Sequence, residues 1–231
     1  MKKDISLVLI VALCMGLSGC FPGELTGKFR ETTYKTSDKL NIDQPLRIDK
    51  KEFLSIKKVA IMSQADLYKN PDSLRIYSMM LRILVSDLEK SKQFKIVYPS
   101  AFKKKQNELG MNIDPSIMTQ KEIEGIISEV AKELECDAIL TLYEKTKKVD
   151  TGGEVFRYLF AGEINVPVVI GLDMSSAKNG KTIWNQEHDV IYSTGDAGII
   201  NMPAEELRRI LMPVVRPLVH DLIRTAAQSS G

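Results

Sequence analysis

Histidine, cysteine and clustered carboxylates carry most acid-base, nucleophilic and metal chemistry. This chain of 231 residues holds two histidines and three cysteines. His188 stands in Gln186-Glu187-His188-Asp189 on an expected strand. Strand alternation sends Glu187 and Asp189 to the face opposite His188, so the three do not form a ligand set. His220 is on the last expected helix with Asp221 adjacent rather than one turn away, and no His-x-x-x-His spacing exists. Cys136 lies in Leu134-Glu135-Cys136-Asp137 at a helix-to-strand junction, where a small buried hydrophobe is the natural role. Gly152-Gly153 and Gly195-Asp196-Ala197-Gly198 lack the lysine and hydroxyl of a phosphate loop. Glu205-Glu206 opens the last helix, where the helix dipole accounts for both acids. The pattern predicts no catalytic residue, no metal site and no cofactor.

One cysteine is different. Met1-Lys2-Lys3 is a positive end, Ile5 to Leu17 is an almost unbroken apolar run, and Leu17-Ser18-Gly19-Cys20 closes it with small residues. The run is shorter than the ~20 residues that a membrane-spanning helix requires, so residues 1–19 read as a signal peptide. The tetrapeptide resembles the bacterial lipobox. That resemblance implies that the Cys20 thiol is alkylated by diacylglycerol and that Cys20 becomes the first residue of the mature protein. The bilayer is then a partner through acylated Cys20, since acyl chains contribute about 0.8 kcal/mol per buried methylene. The expected location is the periplasmic side of the cell envelope. Phe21 stands where inner-membrane retention uses Asp, which by resemblance favours the outer membrane. Cys14 leaves with the leader, so Cys136 is a lone thiol and no disulfide framework is available.

The composition, 44% hydrophobic and 27% charged, fits an ordinary globular chain with one domain. The formal charge of +2 shows no nucleic-acid footprint. Lys103-Lys104-Lys105 is the longest basic run and reads as a solvated face.

The elements follow from periodicity. Residues 20–54 read as the lipidated cysteine and a polar tether, with Leu46-Arg47-Ile48 able to add an edge strand. The globular domain spans 55–228. Lys57-Lys58-Val59-Ala60-Ile61-Met62-Ser63 predicts a buried strand. Asn70 caps a helix that has Pro71 at its first position and Leu74, Tyr77, Leu81, Leu84 or Val85, and Leu88 along one face. A strand over 92–98, ended by Pro99, leads to a short helix over 102–109. Thr119-Gln120-Lys121-Glu122 forms a capping box for the next helix, which returns into a strand over 137–143. Two such passages imply parallel strands with helices over the sheet. A hairpin follows, turning at Asn179-Gly180, with Trp184 as a packing anchor. The last helix, from about 203 to 227, contains Pro213 and Pro217, which should kink or split it. The predicted class is α/β, a two- or three-layer sandwich on a mixed sheet.

The order of these elements resembles the domain shared by the curli-secretion lipoprotein CsgG, the penicillin-binding-protein activator LpoB and the amino-terminal domain of TolB. The resemblance rests on Val59-Ala60-Ile61-Met62, on Leu134-Glu135-Cys136-Asp137-Ala138-Ile139-Leu140, and on the hairpin Asn179-Gly180-Lys181-Thr182-Ile183-Trp184. It implies binding and assembly rather than catalysis, with an envelope protein as partner and a homo-oligomer as a further option. The pore-forming branch of the group needs paired strands of about 9–11 residues. Residues 144–163 hold only one plausible arm, at 155–160, since 145–151 is polar almost throughout, and this disfavours the pore reading. Phe156, Tyr158 and Phe160 in that segment are candidate partner-binding residues.

Overall fold

In the computed structural model the described residues are 33–36, 50–68, 70–114, 117–146, 164–194 and 202–228. Strand β2 (Lys58–Met62) is buried from Val59 to Met62. Its near-continuous apolar run is what a strand covered on both faces requires. Helix α2 (Pro71–Ser91) begins where Asn70 Oδ1 accepts from the Asp72 and Ser73 amides at 2.8 and 3.4 Å. It ends at Lys92, which adopts the left-handed conformation with φ 56°. Its buried face is Tyr77, Met80, Ile83, Leu84 and Leu88. Leu74, placed on that face by the sequence pattern, is 37% exposed.

Strand β3 covers only Lys95–Val97, because the left-handed turn at Lys92 uses up the residues before it. Pro99 does more than end that strand. It occupies the first turn of α3 (Pro99–Glu108), where its missing N–H costs nothing, so the helix starts earlier than its apolar residues alone indicate. Helix α4 (Gln120–Glu133) carries the capping box in full. Thr119 N donates to Glu122 Oε2 at 2.7 Å, and Glu122 N donates to Thr119 Oγ1 at 3.3 Å.

Strand β4 (Ala138–Thr146) then runs parallel to β2, as β3 does on the other side. The long strands β5 (Ile164–Ser176) and β6 (Thr182–Thr194) continue the sheet antiparallel. Strand β1 (Thr33–Thr36) closes it against β6, from Thr33 opposite Ser193 to Thr36 opposite Val190. The sheet order is β1-β6-β5-β4-β2-β3. Strand β1 lies within the stretch read from the sequence as tether. Thr-Tyr-Lys-Thr has high strand propensity but is too short for a periodic signal, and the edge of β6 supplies the pairing. Leu46-Arg47-Ile48 lies outside the described residues, and a short helix, α1 (Lys50–Leu54), follows it.

The Asn179-Gly180 hairpin turns through five residues rather than two. Gly180 sits at φ +70°, its amide donates to Ser176 O at 2.8 Å, and Ser176 N donates to Lys181 O at 2.8 Å. The loop packs on α4. A Cβ at Gly180 would come within 2.3 Å of the Glu124 carbonyl oxygen, so close approach and a left-handed backbone both call for glycine.

The final helix, α5 (Ala204–Gln228), stays continuous through Pro213 and Pro217. It does not split, because Leu207, Leu211, Val214, Val215, Leu218, Val219 and Leu222, all at 0% exposure, hold its other side to the sheet. Helices α2 and α5 cover one sheet face around Trp184, Leu140 and Leu172, while α3 and α4 cover Ala60, Met62 and Ile139 on the other. The result is the α/β class read from the sequence, in three layers. Among the described residues no helix is long and apolar enough to cross a membrane.

Candidate functional site

Strand alternation places His188 on the core face, opposite Glu187 and Asp189, and it is 2% exposed. Its Nδ1 lies 3.0 Å from Val214 O. A carbonyl can only accept, so Nδ1 carries the proton in this contact. The histidine thus ties β6 to α5. His220 is exposed, whereas Asp221 is 7% exposed and pairs with Arg224, so the adjacent pair faces apart. Cys136 is buried, and burial pushes its thiol up to about 11, with Lys58 lowering it and Asp137 raising it by lesser amounts. Such a thiol is almost wholly protonated at neutral pH and is a poor nucleophile. Among the described residues no three His, Cys, Asp or Glu side chains are grouped to hold a metal.

Polar side chains do converge on the sheet face opposite the α2–α5 layer. Helices α3 and α4 cover β2 and β4 on that side, and the polar row lies beyond them on β4, β5 and β6. Tyr143, Gly171 and Glu187 are direct cross-strand neighbours, as are Thr141, Asp173 and Asn185. With no side chain at Gly171, the Tyr143 ring lies across β5. A Cβ there would fall 2.1 Å from Tyr143 Cζ. The ring thereby spans two inter-strand gaps. Its hydroxyl donates to Glu187 Oε1 at 2.7 Å and accepts from Asn185 Nδ2 at 2.9 Å.

Lys145 completes the group. Its Nζ donates to Glu187 Oε1 at 2.8 Å and stands 4.6 Å from the Tyr143 ring centroid. Asp173 gathers the rest: Oδ1 accepts from Thr182 Oγ1 at 2.8 Å and from Asn185 Nδ2 at 3.3 Å, and Oδ2 from Ser175 Oγ at 2.8 Å. Burial pushes the Glu187 carboxyl up, but the hydrogen bonds from Lys145 and Tyr143 and the Lys145 charge outweigh it, leaving the group below its ordinary value. Burial pushes the Tyr143 hydroxyl well above its ordinary value. A phenol held protonated beside a held carboxylate is a fixed pattern of donors and acceptors. Lys145, Ser175 and Thr182 add further polar groups whose hydrogen bonds are made to Glu187 and Asp173 within the cluster.

No protein-family model matches the chain, and no curated protein matches it. Among solved structures it is similar to the lipoprotein GNA1162 from Neisseria meningitidis, at 11% identity and TM-score 0.40, covering 71% of this chain and 99% of that one. It is also similar to the PelC dodecamer from Paraburkholderia phytofirmans, at 12% identity and TM-score 0.35, covering 81% of this chain and 97% of that one. At such identities function has to be argued from the chain's own residues.

Of the residues singled out in the sequence, Cys20, Phe156, Tyr158 and Phe160 lie outside the described residues. The Tyr143–Glu187 group was not singled out there. Its members come from three strands, and only the register brings them together. Gly171 within an apolar strand pattern was the available signal, since such a glycine marks close approach of another group.

Proposed function

We propose that this chain is a lipid-anchored protein of the bacterial cell envelope, facing the periplasm, that binds a protein partner and performs no chemistry of its own. The observation that carries the reading is Leu17-Ser18-Gly19-Cys20 at the end of a charged-then-apolar leader. Acylation at Cys20 would hold the domain at a membrane, where a tethered domain acts on neighbours at high local concentration. Phe21 favours the outer membrane. The family resemblance on Asp137-Ala138-Ile139 and the Asn179-Gly180 hairpin points the same way, toward binding and assembly in an envelope machine.

The Tyr143, Lys145, Asn185 and Glu187 face is the described surface best suited to that role, and the sequence adds Phe156, Tyr158 and Phe160, which lie outside the described residues. The test is site-specific photo-crosslinking in intact cells, with the probe at position 145 or 158. The reading predicts a discrete crosslinked species that is lost when Cys20→Ser releases the protein from the membrane. Absence of any such species from both positions would overturn the partner assignment. A crosslink between copies of this chain alone would move the reading to a homo-oligomeric assembly, which the curli-secretion resemblance anticipates.

A further inference from the structure

Strand β4 outruns its parallel neighbour β2, whose last pair is Met62 with Thr141, and Glu144 lies in the overhang. Alternation puts Glu144 on the face of Leu140 and Leu142, the one that α2 and α5 cover. Tyr77 of α2 ties this end of the sheet together: its hydroxyl donates to Leu142 O at 3.3 Å and accepts from the Gln64 amide at 2.8 Å. Tyr68 stacks on Tyr77, with ring centroids 4.7 Å apart and planes at 26°. Tyr77 is wholly buried, so the half-buried Tyr68 is the outer ring of the pair. Glu144 is the next side chain on that face after Leu142. It is near enough that its charge, after burial, helps to raise the Tyr68 hydroxyl above its ordinary value.

Glu144 is itself half-buried, and burial raises its carboxyl with no hydrogen bond or countercharge among the described residues to offset the effect. Its chain neighbour Lys145 is turned to the other face and bonded to Glu187. A carboxylate drawn out of water without a partner opposes folding. Such a cost is usual where a group is kept unpaired for a ligand.

We propose that Glu144 and Tyr68 hold a guanidinium group, the arginine side chain of a protein partner. The carboxylate supplies the missing countercharge and can accept two parallel N–H bonds, while the ring offers a face to a planar cation. Guanidinium is more weakly hydrated than ammonium, which suits a half-buried site. The source of the group rests on the partner-binding reading, whereas the site is tested with small probes that need neither partner nor membrane.

The test is NMR on the full chain in mild detergent, labelled at the tyrosine ring carbons and titrated with Nα-acetylarginine amide. A saturable shift of Tyr68 is expected, with Tyr143, beside carboxylates on the opposite face, unmoved. Glu144→Gln removes a charge the fold does not use, so the variant should fold, and its affinity should fall about tenfold or more. Nα-acetylcitrulline amide, which has the same shape without the charge, should bind the unaltered chain as weakly. Calorimetric titration of Tyr68→Leu should show a loss of about threefold. No saturable shift of Tyr68, or equal affinity in Glu144→Gln, would overturn the site. An acetylated Gly-Arg-Gly amide that binds as tightly as the single residue supports a protein side chain as the source, and its exclusion while methylguanidinium binds would overturn that source.

Discussion

The ring of Tyr143 lies flat over Gly171, so that a side chain on one strand reaches a carboxylate, Glu187, two strands away. Gly171→Ala should therefore destabilise the fold by about 1–3 kcal/mol, the usual cost of forcing a well-packed group out of place. The same change in a Tyr143→Ala background should be neutral or stabilising, since alanine suits a strand better than glycine once the ring is gone. A double-mutant cycle by urea unfolding measures the coupling. Equal costs in the two backgrounds would refute the contact.

Glu144 and Glu187 lie on opposite faces of the sheet and should give opposite pH dependence. Glu187 is held below its ordinary value, so its contribution to stability is complete above the unfolded carboxylate range and fades as pH falls through its lower folded value. Glu187→Gln should cost most near neutral pH and least in acid. Burial raises Glu144, so its ionisation opposes folding once pH rises through the unfolded value and fully above the folded one. Glu144→Gln should stabilise at pH 7 and have little effect at pH 3. Unfolding curves at the two pH values decide both signs.

Asp137 stands at the start of β4, and its Oδ2 accepts from both the Lys57 and Lys58 amides at 2.8 Å. It fastens the first turn of β4 to the entry of β2, and Asp137 N returns a bond to Lys58 O at 2.8 Å. Asp137→Ala should cost about 1–3 kcal/mol, as expected for charge-assisted bonds at an accessible site. Amide exchange at Lys57 and Lys58 should quicken in the variant before that of Ile61 does.

Cys136 should resist alkylation in the folded protein. With its thiol pushed up to about 11 and its side chain buried, iodoacetamide at pH 8 should label it slowly in buffer and readily in urea. Comparable rates in the two media would show that the site opens.

The sequence pattern was informative where a single element carried its own signal. Asn70-Pro71, the Thr119–Glu122 box and the Asn179-Gly180 turn each mark a boundary through local hydrogen bonds, and all three appear in the fold. That Glu187 and Asp189 face away from His188 followed from alternation, whereas which of the two faces is buried came from the packing of the sheet. What depended on pairing was hidden. Thr33–Thr36 becomes a strand only because β6 has a free edge, and β5 and β6 each extend to 13 residues because each orders the other. The Tyr143–Glu187 group is a product of strand register, which no short window of sequence contains.

The most direct test of the account is the intact mass of the full chain produced in a bacterial host and extracted from its membranes. The account predicts a chain lacking residues 1–19, with Cys20 at its amino terminus bearing a diacylglyceryl thioether, and no such adduct in a Cys20→Ser variant. A chain that retains residues 1–19, or one that begins at an unmodified Cys20, would contradict it.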